Sequence, residues 1–195
     1  MKKFTGLIIL FLFSTWILQA QEIPKPQNPP KLVNDFANIL THDQQLTLES
    51  KLVAYNDSTS NEVAIVTIKT TGDYEISDYA LKILREWGVG DKKNNNGLVI
   101  LAAIDDGKIW ISTGYGLEGA LPDITVKNII ENEILPSFRQ GNYYRGFSNA
   151  VDAVIKAAAG EYKAKPKAKK GKGGEALAVI VVIAVLLLLM SGGAG

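Results

Sequence analysis

Two loops hold a concentration of side chains that could do chemistry in this 195-residue chain: GDKKNNNG at 90–97 and TGYGLEG at 113–119. Both are rich in glycine and in oxygen-bearing side chains. Between them lie an apolar run at 98–104, a turn of Asp105, Asp106 and Gly107, and a stretch at 108–113. In that stretch Ile109 and Ile111 alternate with Lys108 and Trp110. Asp-Gly between two such runs predicts a hairpin, because glycine tolerates the positive φ of a tight turn. An antiparallel hairpin returns to where it started. The two loops are therefore expected side by side at one end of a sheet, which marks that end as the leading candidate for a site. Ordinary turn chemistry uses the same residue types.

Other constellations are sparse. The chain has no cysteine and one histidine, His42, at the start of an expected helix and far in sequence from every loop of interest. That excludes a thiolate nucleophile and argues against a hydrolytic triad. No GxxxxGK[ST] sequence occurs, and GYGLEG, although it has the G-x-G-x-x-G spacing, follows the outgoing strand of a hairpin and has Glu118 where a pyrophosphate would need to approach. Phosphoryl chemistry, if present, has to be metal-assisted, with Lys92, Arg139 and Arg145 as the nearest phosphate partners by sequence. A rival cation site lies beyond the carboxyl ends of the expected strands, at 70–73 and at Asp105 and Asp106, where a solvated turn is the better reading. Tyr115, Tyr143 and Tyr144 are candidates for a protein-docking face, or for plain packing.

Charge narrows the partners. Residues 31–162 contain 12 Lys and Arg against 18 Asp and Glu, a net −6, while lysines concentrate outside that region. An acidic domain repels phosphate backbones, so nucleic acid is not an expected partner. At the N-terminus, Lys2 and Lys3, an apolar run at 7–18 and Ala20 fit a secretory signal peptide over 1–20. Residues 176–190 are apolar and uncharged and continue to Gly195, which predicts a C-terminal membrane anchor over 176–195. A proline-rich tether at 21–31 and a lysine-rich linker at 163–175 flank a domain expected at 32–162.

The elements that must position the loops follow from periodicity. Thr41 and Gln44 have capping-box spacing before a helix at 42–56. EVAIVTIK at 62–69 reads as a buried strand, and Ile76, Tyr79, Ala80, Ile83, Leu84 and Trp87 form the stripe of a second helix. Strand, helix and strand make a parallel βαβ unit, to which the hairpin adds an antiparallel strand. A third helix runs from about Asp123 to Pro136, and a fourth starts near Phe147. The expected fold is α/β: a mixed sheet in a three-layer α/β/α sandwich.

The blocks VNDFANIL at 33–40, EVAIVTI at 62–68, WGVGDKKNNNGLVILAA at 87–103, TGYGLEGALPD at 113–123 and GNYYRGF at 141–147 together resemble the TPM-domain family. That family groups thylakoid-lumen proteins and many exported bacterial proteins. The resemblance implies an α/β/α fold, a calcium-binding acidic cluster in some members and a phosphatase activity in a few. By motif match the positions inheriting the metal site are Asp35, Asp91 and Asp123, with Asn96 and Glu118 as neighbours. Calcium takes six to eight oxygens from carboxylates, amides and carbonyls, which the two loops supply. Each residue also has an ordinary use: Asp123 as a helix cap, the asparagines in positive-φ turns, Glu118 in solvent. The expected function is an exported, membrane-tethered accessory domain that binds calcium and supports assembly or maintenance of membrane protein complexes, with membrane lipid and a membrane protein as partners. The alternative is a metal-dependent phosphatase acting outside the cytoplasm, so whether the chain is an enzyme stays open at this point.

Overall fold

The computed structural model describes residues 23–163. The expected signal segment at 1–20 and the expected anchor at 176–195 lie outside the described residues. Among the described residues no helix is long and apolar enough to cross a membrane.

Four strands form one mixed sheet in the order β1 (Val33–Asp35), β2 (Glu62–Ile68), β3 (Gly97–Ala103), β4 (Lys108–Thr113). The first three are parallel, and β4 returns antiparallel to β3 with Leu98 opposite Thr113 and Ala103 opposite Lys108. Residues alternate across a pleat, so neighbouring side chains of β2 and β3 serve opposite faces. Val66, Ile68, Val99 and Leu101 pack with Ile76, Tyr79, Ala80 and Ile83 of α2 (Ile76–Glu86). Val63, Ile65, Leu98 and Ile100 pack with the helices of the other face. Those are α1 (His42–Thr59), α3 (Asp123–Ile129) and α5 (Tyr143–Ala158), with the short α4 (Leu135–Phe138) preceding the last. All seven residues of β3 are buried, as a central strand covered on both sides requires.

The capping box forms as its spacing predicts: Thr41 Oγ1 accepts from Gln44 N while Gln44 Oε1 accepts from Thr41 N. The expected third helix is interrupted. After α3 the chain makes a wider π turn over Ile130–Ile134 before α4. Pro136 has no N–H to offer the carbonyl four residues back, at Asn132, and cannot continue a regular α ladder there. The last helix begins at Tyr143, earlier than expected, where the Asn142 side chain caps it by accepting from Arg145 N.

The proline-rich stretch does not hang free. Ile23 is buried, Trp87 Nε1 donates to Pro24 O at 2.9 Å, and Gln27 N donates to Asn34 Oδ1. Residues 23–31 thus lie against the domain that was expected to begin at Leu32.

Candidate functional site

The hairpin brings the two glycine-rich loops into contact. Gly114 N donates to Gly97 O at 2.7 Å, and Gly116 N donates to Asn95 O at 2.9 Å. A Cβ on Gly114 would collide with the carbonyl oxygen of Asn95, and one on Gly116 with that of Asn94. Glycine at 114 and 116 is therefore a condition of the close approach, not merely of turn flexibility.

The entering loop is held from several sides. Glu62 Oε2 accepts from Gly90 N at 3.0 Å. Asn96, which is buried, accepts from Asp91 N at Oδ1 and donates to Ser60 O from Nδ2. Asp91 Oδ1 accepts from Lys93 N and Asn94 N, each at 2.9 Å, and Asn95 closes the turn with φ +49°. Only one Asp91 oxygen takes part in these bonds. Oδ2 makes none within the described residues.

Beside the paired loops lies a cleft of about 600 Å³, walled by Leu81, Leu84 and Arg85 of α2, by Asp91, Lys92 and Asn95, and by Thr113, Tyr115 and Glu118. Tyr115, 80% exposed, stands in a short 3-10 turn over Tyr115–Leu117. Besides the Tyr115 hydroxyl, four residues bring side-chain oxygen to this cleft: Asp91, Glu118, Asn95 and Thr113. The side chains of the last three make no hydrogen bond within the described residues. Asn95 and Thr113 were not singled out from the sequence. Their only signal was position, at the points where the two loops meet β3 and β4.

The expected convergence of Asp35, Asp91 and Asp123 is not met. Asp35 ends β1, level with Thr67 and Ala102 across the sheet. Five residues along β3 separate that level from Gly97, about 16 Å. Its carboxylate is buried and committed: Thr67 Oγ1 and Ile39 N donate to Oδ1, and Leu40 N and Gln45 Nε2 donate to Oδ2. It ties the turn after β1 to β2 and α1. Asn96 likewise spends its side chain on the chain itself. Asp123 opens α3, exposed, where a carboxylate suits a helix N-terminus, and it does not line the cleft. Among the described residues no three acidic or histidine side chains gather closely enough to hold a metal ion. The cleft instead pairs two carboxylates, Asp91 and Glu118, with neutral oxygens.

At the other end of the hairpin Asp106 of the rival site is also committed. Asp106 Oδ2 accepts from Thr71 N at 2.8 Å and from Thr71 Oγ1 at 3.2 Å. The Thr71 N–H, then the Thr70 hydroxyl, hold its carboxyl below the usual carboxylate range. His42 opens α1 at an exposed position.

Comparison with known proteins agrees with this architecture. A profile of the TPM domain matches residues 33–157. The N-terminal domain of a P. gingivalis protein, solved by NMR, is 39% identical, with a TM-score of 0.62 over 71% of this chain and 88% of that one. BA42 from the psychrophilic bacterium Bizionia argentinensis is 21% identical, with a TM-score of 0.55 over 65% of this chain and 86% of that one. The N-terminal domain of cg2496 from Corynebacterium glutamicum is 12% identical, with a TM-score of 0.53 over 79% and 93%. At those identities the last two speak for the fold alone. No curated protein matches the chain. With a matching profile over more than half of its length and a relative at 39% identity, the chain belongs to the TPM-domain family.

Proposed function

We propose that this is an exported, membrane-tethered accessory domain that binds a divalent cation, calcium, in the cleft between the two loops and supports assembly or maintenance of membrane protein complexes. The observation that carries the cation reading is the contact of Gly114 and Gly116 with the Asn95 and Gly97 carbonyls, which sets Asp91, Asn95, Thr113 and Glu118 around one cleft. The donor set fits calcium, a hard cation that accepts carboxylate, amide and hydroxyl oxygens together and tolerates irregular geometry. Asp91 and Glu118 supply the charge, Asn95 and Thr113 neutral oxygens. Two carboxylates place the affinity at the weak end, on the order of 10⁻⁴ to 10⁻³ M.

Export and anchoring are supported by the charged-then-apolar segment at 1–20 and the apolar stretch at 176–195. In this reading the domain lies on the extracytoplasmic side, with membrane lipid around the C-terminal apolar segment and a membrane protein as partner. The acidic surplus of residues 31–162 speaks against nucleic acid.

A metal-dependent phosphatase on the same scaffold is the second reading, favoured by Arg85 and Lys92 on the cleft wall beside Asp91. One preparation separates the two. Calorimetric titration of the full chain in detergent micelles with calcium is expected to show saturable binding that Asp91→Asn weakens about tenfold, while phosphate release stays at background. Turnover that persists through purification and vanishes in Asp91→Asn overturns the accessory reading in favour of the phosphatase. Absence of saturable binding overturns both.

A further inference from the structure

We propose that the open edge of β4, together with the apolar groove beside the hairpin turn, receives the C-terminus of an extended partner polypeptide, with the terminal carboxylate at Arg139 and Lys108. Among the described residues β4 is the last strand of the sheet, so one of its sides carries no neighbouring strand there. The bond from Gly114 N to Gly97 O sets the phase of the ladder. The main-chain groups of Lys108, Trp110 and Ser112 face β3, and those of Ile109 and Ile111 face outward. Soluble proteins usually blunt such an edge with charges, proline or a covering segment. Here the turn-proximal half offers one lysine at its end and Trp110, which is 41% exposed.

Beside that same half lies a groove of about 420 Å³. Ile104, Ile109, Leu135 and Phe138 give it apolar walls, and Lys108 and Arg139 line it as well. Neither cation forms an ion pair within the described residues, in a domain whose charge is otherwise acidic. Asp106 feels the charge of Lys108, but its Oδ2 is held by Thr71, and neither Asp105 nor Asp106 lines the groove. An added strand would bond to the outward groups of Ile109 and set an apolar side chain beside Ile109 and Phe138. Its anionic end would then face two unpaired cations. A single carboxylate fits this setting where a polyanion does not, because the surrounding surface repels extended negative charge. The groove sits at the opposite end of the hairpin from the cation cleft, so the inference stands whether or not calcium binds there.

The test uses the full chain in detergent micelles with EDTA, titrated with a Val-Thr-Val-Thr-Val-Leu peptide carrying a free C-terminal carboxylate and with the same peptide as its amide. The carboxylate form is expected to bind about fivefold to tenfold tighter, the range for one charge-assisted hydrogen bond. The difference should disappear in Arg139→Ala, and the Ile109 and Ile111 amides should gain exchange protection. Ile109→Pro, which removes an outward donor, should weaken both peptides. The exchange measurement on the unmutated chain decides the matter should that variant fail to fold. Equal affinity of the two peptides, no saturable binding of either, unchanged Ile109 and Ile111 exchange, or hexanoate filling the groove where neither peptide does would each overturn the proposal.

Discussion

Asp35→Ala removes the acceptor of four hydrogen bonds in a buried turn, and is expected to cost about 3 kcal/mol or more in urea unfolding, with calcium binding of the folded fraction unchanged. Calcium affinity falling in step with Asp91→Asn would return Asp35 to the site. Asp106 makes a second residue-level prediction. Its folded pKa lies below the ordinary carboxylate value of 3.8, so its bonds to Thr71 stabilise the fold fully above that value. The contribution is lost as pH falls through the lowered folded value. Acid unfolding of Asp106→Asn should therefore lose part of its pH dependence below about pH 4. An unchanged acid limb would contradict this. At this scale the sequence was least legible. It displayed Asp35, Asp91 and Asp123 as equal carboxylates. Only the fold shows that Asp35 faces the amides of Ile39 and Leu40, and that Asp91 keeps an oxygen free.

Among the elements, the contact between the loops is the most exposed to test. Gly114→Ala sets a methyl against the Asn95 carbonyl, backbone against backbone, and is expected to cost about 1–3 kcal/mol in thermal unfolding and to weaken calcium binding. A variant with unchanged stability would mean that the two loops are not held as closely as Gly114 requires. Most elements were legible from the sequence because their periods were clean: the stripe of α2, the β-branched run of β2 and the Asp-Gly turn each had one reading. β1 was not legible, since three residues show no period and its pairing depends on Ile65, Val66 and Thr67 of β2. The π turn escaped for another reason. Its apolar spacing is that of a helix, and Pro136 widens the turn without breaking the stripe of Ile129 and Ile134.

For the whole molecule, the sheet separates Asp35 from Asp91, two carboxylates that the family resemblance implied would share one site. The cleft lined by Asp91 and Glu118 lies at one end of the hairpin, and Asp35 and Asp106, which secure the turns, lie at the other. The N-terminal stretch joins this assembly through Trp87. Trp87→Phe should lower stability by about 1 kcal/mol and speed proteolysis at 23–30, since it deletes the bond to Pro24 O. Unaltered cleavage would show that the stretch is held without it.

Calcium titration of the full chain in detergent micelles, followed by backbone amide shifts, tests the central claim most directly. Saturable shifts confined to 90–96 and 113–118, and lost in Asp91→Asn, are the predicted result. Shifts centred on Asp35 or Asp106, or none that saturate, would contradict it.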